Sequence, residues 1–222
     1  MVSQASRLNR LPAAERGITI GDFLVPITIG ERISSRVRHI ALIVAGALVI
    51  AITANFSIPV PGSPVPVTGQ TFSVLLVGGA LGARRGIAAT LLYLVIGLFL
   101  PVYAEQKQGL AILGTVSGGH LVLGATGGYL VGFVVASGLV GRLAELGWDR
   151  RFVGAFAMMA IGDLAIYLVG VPWLMAATGM DFSTALDKGL YPFVLGDVLK
   201  LALAAGVFPI AWWVVGRSTE ER

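Results

Sequence analysis

The sequence predicts an all-α integral membrane protein, a bundle of six transmembrane helices. Of its 222 residues 56% are hydrophobic and only 13% are charged, whereas a soluble domain carries about 25% charged residues. A soluble chain of this length could not hide so much apolar surface, because its surface is large relative to its volume. The apolar residues also form long runs, and about 20 of them in sequence can span a bilayer as a helix.

The first half of the chain contains three apolar runs. Residues 37–56 predict the first span, and the loop that follows, residues 58–66, holds four prolines, which exclude a helix. The second run, residues 70–85, is short for a span and ends at two arginines. The third run covers residues 86–103, so the second and third spans are predicted to be joined by a basic turn.

Three further runs follow a glycine-rich stretch at residues 105–119. They cover residues 120–143, 152–177 and 191–215, and they predict the fourth, fifth and sixth spans. Glycines interrupt the start of the fourth run, and the other two runs are continuous.

The six runs form one predicted transmembrane domain, residues 37–216. We expect it to lie between a basic cytoplasmic arm, residues 1–36, and a short cytoplasmic tail, residues 217–222. The arm is polar where a signal peptide would have its apolar region, so it is interpreted as part of the mature chain.

Basic residues alternate between the two ends of the predicted spans. Thirteen arginines lie before the first run, after the second and fourth runs and in the tail, while the alternate loops hold only Lys107 and Lys188. This is the positive-inside distribution of a multi-pass protein, and it predicts that both termini are cytoplasmic. It also accounts for the net charge of +4 without a nucleic-acid partner.

Three charged residues fall inside the apolar runs, where a charge is costly and usually has a function or a partner. Asp197 and Lys200 are three residues apart and so share one helix face. We favour a role in which the two side chains face a cavity and bind a ligand. The alternative is an ion pair whose charges only neutralise each other, and such a pair adds little to the stability of the protein. Asp163 stands four residues before Tyr167 and so lies on the same helix face. It would either line the pocket or form a hydrogen bond that packs two helices together, and the sequence leaves both open.

The glycine-rich segment 114–129 also suggests a pocket. Irregular backbone at membrane depth is tolerated where it lines a cavity, and Tyr129 would then meet a ligand. The alternative is a flexible outer loop followed by close helix contacts, because Gly124, Gly128 and Gly132 form a row of small residues at helical spacing.

Small residues recur four apart in the first run, at Ala41 and Ala45 and again at Ala47 and Ala51. Such rows let another helix approach closely. The approaching helix would belong to this chain or to another subunit, including a second copy of the chain.

The motifs that are missing argue against an enzyme. The sequence has no phosphate-binding loop for ATP hydrolysis, no His-Glu-x-x-His zinc site and no nucleophile elbow. It has no cysteine, which excludes disulfides and thiolate metal sites, and no ring of carboxylates typical of an ion channel.

Five segments resemble, in order, the signatures of the BioY family, the biotin-specific S components of energy-coupling factor transporters. They are residues 66–86 with Pro-Val-Thr-Gly-Gln-Thr-Phe at their start, 98–103, 124–133, 166–174 and 191–200 with Asp-Val-Leu-Lys at their end. The resemblance covers about residues 37–215. The sequence departs from the family pattern at Gly69, Ala125 and Asp163 and in the longer arm before the first span.

The resemblance implies a six-helix bundle of the S-component type in a prokaryotic cytoplasmic membrane, with a biotin pocket that opens outward. It implies high-affinity capture and uptake of biotin, with no cofactor. The first-span alanines would form the docking surface for a transmembrane coupling subunit that works with two ATPases. The predicted ligand-binding residues are Gln70, Thr126, Gly128, Tyr129, Asp163, Tyr167, Asp197 and Lys200.

The residues alone leave a second function open. A carrier that works by itself, or that is coupled to protons through Asp163, Asp197 and Lys200, would also place charges inside its spans. Its solute would be biotin or another small carboxylated vitamin.

Overall fold

The computed structural model describes residues 19–23, 34–117 and 120–220. Most of the predicted arm and the last residues of the predicted tail lie outside this part. The α-helices within it are α1 (Ser35–Ala54), α2 (Gln70–Leu81), α3 (Ala83–Phe99), α4 (Gly127–Glu145), α5 (Phe152–Thr178), α6 (Phe182–Gly189) and α7 (Tyr191–Glu220). The strands are β1 (Ser57–Ile58), β2 (Val67–Thr68), β3 (Gly114–Ser117) and β4 (His120–Leu123).

Most of these helices are long and apolar enough to cross a membrane. In the described part of the chain the five candidate spans are Ser35–Ala54, Ala83–Gln106, Gly127–Glu145, Phe152–Thr178 and Tyr191–Val214. With 12 residues, α2 is about 18 Å long, short of the roughly 30 Å of a bilayer core. The structure therefore supports a helical membrane bundle with five full-length spans. A sixth span and cytoplasmic termini remain predictions.

The centre of the bundle is α4, which packs against α2, α3 and α5. Small residues bring the helix backbones together at these contacts. A Cβ atom added to Gly78 of α2 would lie 2.6 Å from the carbonyl oxygen of Ser137 in α4, and one added to Gly128 would lie 2.1 Å from the Cβ atom of Trp173 in α5. Both distances are too short for a side chain, so these crossings require glycine.

The fourth helix begins later than the sequence predicts. It starts at Gly127 instead of residue 120, and residues 114–117 and 120–123 pair as the antiparallel strands β3 and β4. Two hydrogen bonds hold the backbone at Gly124 outside a helix, because its N–H donates to the Leu113 carbonyl at 3.0 Å and its carbonyl accepts from Trp173 Nε1 at 2.9 Å.

The small-residue rows of α1 need a correction. Ala47 and Ala51, predicted to form part of a docking surface, are 0% and 6% exposed and belong to the core. Burial within the chain makes them unavailable to another subunit. Ala41 and Ala45 lie on the exposed face of α1, beside Ile40 at 60% exposure.

The end of the bundle that carries most arginines is held by residues 19–23. Arg85 at the start of α3 forms an ion pair with Asp22 at 2.8 Å and donates to the buried Thr19 hydroxyl at 3.0 Å. Phe23 packs edge-on against Trp212 of α7. Burial alone would raise the pKa of Asp22, but hydrogen bonds from Arg85 and Thr19 and the charge of Arg85 lower it below its usual value.

Asp149, just before α5, is fully buried at the same end. Its carboxylate accepts from Trp212 Nε1 at 2.7 Å, and the Arg150 guanidinium lies 3.4 Å from the centre of the Trp212 ring. Burial raises the pKa of Asp149 to about 6, against the opposing effects of Trp212 and Arg150. These contacts join the beginning of α5 to the later part of α7.

We expect Asp22→Asn to destabilise the protein by on the order of 1–2 kcal/mol near neutral pH, because a partly buried charged hydrogen bond is lost. Folding lowers the pKa of Asp22. Its stabilising contribution is therefore complete above about pH 4 and is lost as the pH falls through the folded-state value. The interaction energy between Asp22 and Arg85 is measured from the melting temperatures, in detergent, of Asp22→Asn, Arg85→Gln and the double variant.

The exposed pair of Lys107 and Glu105 provides the control, since Glu105→Gln is expected to change stability little. Strictly additive effects of Asp22→Asn and Arg85→Gln would contradict the assignment of the ion pair as a stabilising contact.

Candidate functional site

A cavity lies at the end of the bundle opposite the Asp22–Arg85 pair. It is bounded by α2, α4, α5 and α7 and by the segments that follow α1 and α3, and its volume, with the open solvent at its mouth included, is about 600 Å³. Its polar lining residues include Gln70, Thr126, Tyr129, Tyr167, Asp197 and Lys200. Apolar side chains form most of the remaining wall, among them Leu130, Phe133, Ile166 and Phe193. This mixture is typical of sites for small organic ligands.

The centre of the polar wall is Asp197 on α7, which is only 3% exposed. One carboxylate oxygen, Oδ1, accepts from Lys200 Nζ at 3.1 Å, and the other, Oδ2, accepts from the Tyr167 hydroxyl of α5. The helical spacing of three residues puts Asp197 and Lys200 on one face, as the sequence predicts. The Lys200 side chain keeps 20% of its surface exposed and belongs to the cavity lining.

Tyr129 of α4 forms the adjoining aromatic wall. Its ring packs edge-on against Tyr167 with a centroid distance of 6.2 Å. Its hydroxyl donates to the carbonyl of Gly189 at 2.8 Å and so ties α4 to the end of α6. Tyr129 therefore offers a ligand its ring rather than a free hydroxyl.

Gln70 and Thr126 stand where two helices begin. Gln70 opens α2, is 4% exposed, and donates through Nε2 to the buried Tyr93 hydroxyl of α3. The Gln70 amide keeps hydrogen-bonding capacity beyond this one bond. Thr126 immediately precedes α4, where its carbonyl accepts from the N–H groups of Tyr129 and Leu130.

Two predicted ligand-binding residues do not line the cavity. Gly128 lies against Trp173, which is the helix-contact interpretation that the sequence left open. Asp163 is buried on α5 at 8% exposure, and its Oδ1 has no hydrogen-bond partner among the residues that the structure describes. It stands one helical turn from Tyr167, away from the cavity lining.

The sequence analysis did not single out three aromatic residues of the cavity wall. Helical spacing carried a signal for two of them, because Phe133 follows Tyr129 by four residues and Phe193 precedes Asp197 by four. Tyr103 lies in the irregular segment after α3, where no periodic pattern marks it. Its hydroxyl donates to the Leu94 carbonyl at 2.7 Å, which fixes the ring at the cavity.

The chain matches known proteins over most of its length. The family model described as the BioY family matches residues 26–217. The chain is 34% identical over 182 residues to biotin transporter BioY2 of Lactococcus lactis subsp. cremoris, covering 80% of this chain and 91% of that protein. It is 35% identical over 165 residues to biotin transporter BioY of Thermotoga maritima, covering 74% of this chain and 90% of that protein.

A solved structure has the same fold. The crystal structure of the S-component for biotin from an ECF-type ABC transporter matches with a TM-score of 0.70 and 24% sequence identity. The match covers 80% of this chain and 93% of the other. At this identity the likeness establishes a membrane bundle of the S-component type.

The Asp197–Lys200 pair generates a prediction about stability. Lys200→Met should leave a buried carboxylate without its cation and lower the free energy of unfolding by up to about 3–5 kcal/mol. Because Lys200 is partly exposed, the decrease should be smaller than this upper value. Removing both charges with Asp197→Asn and Lys200→Met should restore much of that loss. Thermal unfolding of the two single variants and the double variant in detergent measures the effect.

The control is Lys107→Met, which removes an exposed lysine outside the cavity lining. A double variant that unfolds at a lower temperature than Lys200→Met alone would contradict the view that the two charges compensate each other.

Proposed function

We propose that this chain, which belongs to the BioY family, captures biotin with high affinity and serves its uptake as the substrate-specific subunit of an energy-coupling factor transporter. The chain is a membrane transport protein and not an enzyme, as the family and the S-component fold indicate. Its relatives from Lactococcus lactis and Thermotoga maritima are biotin transporters.

The observation that carries the proposal is the Asp197–Lys200 pair in an otherwise mostly apolar cavity. Biotin has a ureido ring with N–H donors and a carbonyl acceptor, an apolar thioether ring, and a carboxylate on an alkyl chain. Aromatic and aliphatic walls match the thioether ring and the chain, and the paired charges match the polar groups.

We assign the ureido N–H to Asp197. Each oxygen of that carboxylate already accepts one hydrogen bond, from Lys200 or from Tyr167, and each has a further lone pair for a ligand donor. The Tyr167 hydroxyl and the Lys200 ammonium hold the carboxylate in place before the ligand arrives, which reduces the entropy lost on binding. Lys200 then donates to a carbonyl or carboxylate oxygen of the ligand.

The proposed partners are a transmembrane coupling subunit and two ATPases. The sequence has no ATP-binding loop of its own, and the solved neighbour comes from an ECF-type ABC transporter. The exposed face of α1 supplies an apolar docking surface, with Ala41 and Ala45 beside Ile40 and Leu48. Both termini would then face the cytoplasm of a prokaryotic cell, as the distribution of arginines predicts.

Equilibrium binding of radiolabelled biotin to the detergent-purified chain tests the assignment of the ligand. We expect tight, saturable binding by the parent and a loss of about 10- to 100-fold in Asp197→Asn, since a hydrogen bond to a charged group is weakened. Lys200→Ala should lose binding, while Lys107→Ala should bind like the parent. Absence of binding by a folded parent would remove biotin as the ligand.

Uptake into proteoliposomes tests the proposed partners. Biotin should enter only when the coupling subunit and ATPases are present with ATP. Ala45→Trp should reduce this uptake by at least about tenfold while biotin binding by the purified subunit stays intact, because the bulky ring would obstruct close helix docking. Uptake by the chain alone, driven by a pH gradient, would instead support a stand-alone proton-coupled carrier.

A further inference from the structure

A second carboxylate lies beside the Asp197–Lys200 pair and takes no part in it. Asp163 is 8% exposed, it does not line the cavity, and its Oδ1 has no hydrogen-bond partner among the described residues. Buried polar groups without partners are rare in folded proteins, and each one calls for an explanation.

The relative direction of two helices places Asp163 close to Lys200. Asp149 before α5 contacts Trp212 late in α7, whereas Tyr167 further along α5 contacts Asp197 early in α7. The two helices are therefore antiparallel. Moving about one helical turn from the Tyr167–Asp197 contact toward the Asp149 end leads to Asp163 on α5 and to Lys200 on α7. The two residues therefore lie at the same depth in the bundle.

The charges at this depth do not balance. The groups that interact electrostatically with Asp163 are Asp197 and Lys200 of α7 and Tyr167 of its own helix, with Tyr129 of α4 beyond Tyr167. Lys200 is the one cation among them. Two ionised carboxylates and one ammonium group would leave an excess negative charge in a mostly apolar interior, where an unpaired charge is expensive.

We propose that Asp163 is a proton-binding site coupled to the cavity, and that an anionic ligand binds with Asp163 in its protonated, neutral form. This inference rests on the proposed binding of biotin. The ligand carboxylate brings a further negative charge into this mostly apolar interior, so its binding favours the state in which Asp163 carries no charge. By linkage, the proton and the anionic ligand strengthen each other's binding.

The affinity for biotin therefore decreases as the pH rises. Once Asp163 is ionised in the ligand-free protein, each further pH unit weakens binding by up to about tenfold, because one proton must be taken up. Binding of a neutral ligand of similar shape, such as biotin methyl ester, is strengthened less by protonation of Asp163. Its affinity therefore depends less on pH. Asp163→Asn is permanently neutral, so it binds biotin tightly without this dependence.

Equilibrium binding of biotin and of biotin methyl ester, at several values between about pH 6 and about pH 8.5, tests the inference. The variants are Asp163→Asn and, as a matched control, Asp187→Asn, which removes an exposed carboxylate of α6. The control should keep the pH dependence of the parent, and Asp163→Asn should abolish it. A parental affinity independent of pH, or an unchanged dependence in Asp163→Asn, would overturn the proposal.

Calorimetry of the parent protein provides a second measurement that needs no variant. Biotin binding is titrated in two buffers of different ionisation enthalpy, and the difference in heat gives the number of protons taken up. We expect net proton uptake at the pH values where Asp163 is ionised in the ligand-free protein, and no uptake at any pH would refute the proton site. Failure of the parent to bind biotin at every pH would instead contradict the proposed ligand.

Discussion

The bundle depends on the close approach of α4 to the helices around it. Inside a membrane, apolar side chains gain little by leaving lipid for protein, so association depends on packing and on interhelical hydrogen bonds. Gly78 and Gly128 let the crossings at α4 close to distances that no side chain would allow. The cavity-facing side of α4, with Tyr129 and Phe133, is thereby held between α2 and α5.

Hydrogen bonds around the cavity mostly serve to fix its walls. The hydroxyls of Tyr103 and Tyr129 are both bound to backbone carbonyls, and Gln70 donates to Tyr93. The polar groups left for a ligand are therefore mainly Asp197, Lys200 and the remaining hydrogen-bonding capacity of the Gln70 amide. Such an arrangement combines a preorganised apolar pocket with few polar contacts, which suits selective recognition of one small molecule.

The sequence predicted the features that depend on periodicity and charge. The apolar runs matched five full-length spans, and helical spacing put Asp197 and Lys200 on one face. It did not predict the pairing of β3 with β4, which is followed by Gly124, whose backbone is held by hydrogen bonds to Leu113 and Trp173. Small-residue spacing alone also did not show which alanines of α1 face the core, because that depends on the neighbouring helices.

The shortness of α2 changes the distance that a solute has to travel. Gln70 at its first residue lines the cavity, and the helix ends at its twelfth residue, Leu81, beside the basic turn. Along this wall about 18 Å of protein separates the cavity floor from the far end, compared with roughly 30 Å of hydrocarbon in the surrounding bilayer. A molecule bound in the cavity is thus separated from the far end of this wall by less protein than the thickness of the surrounding hydrocarbon.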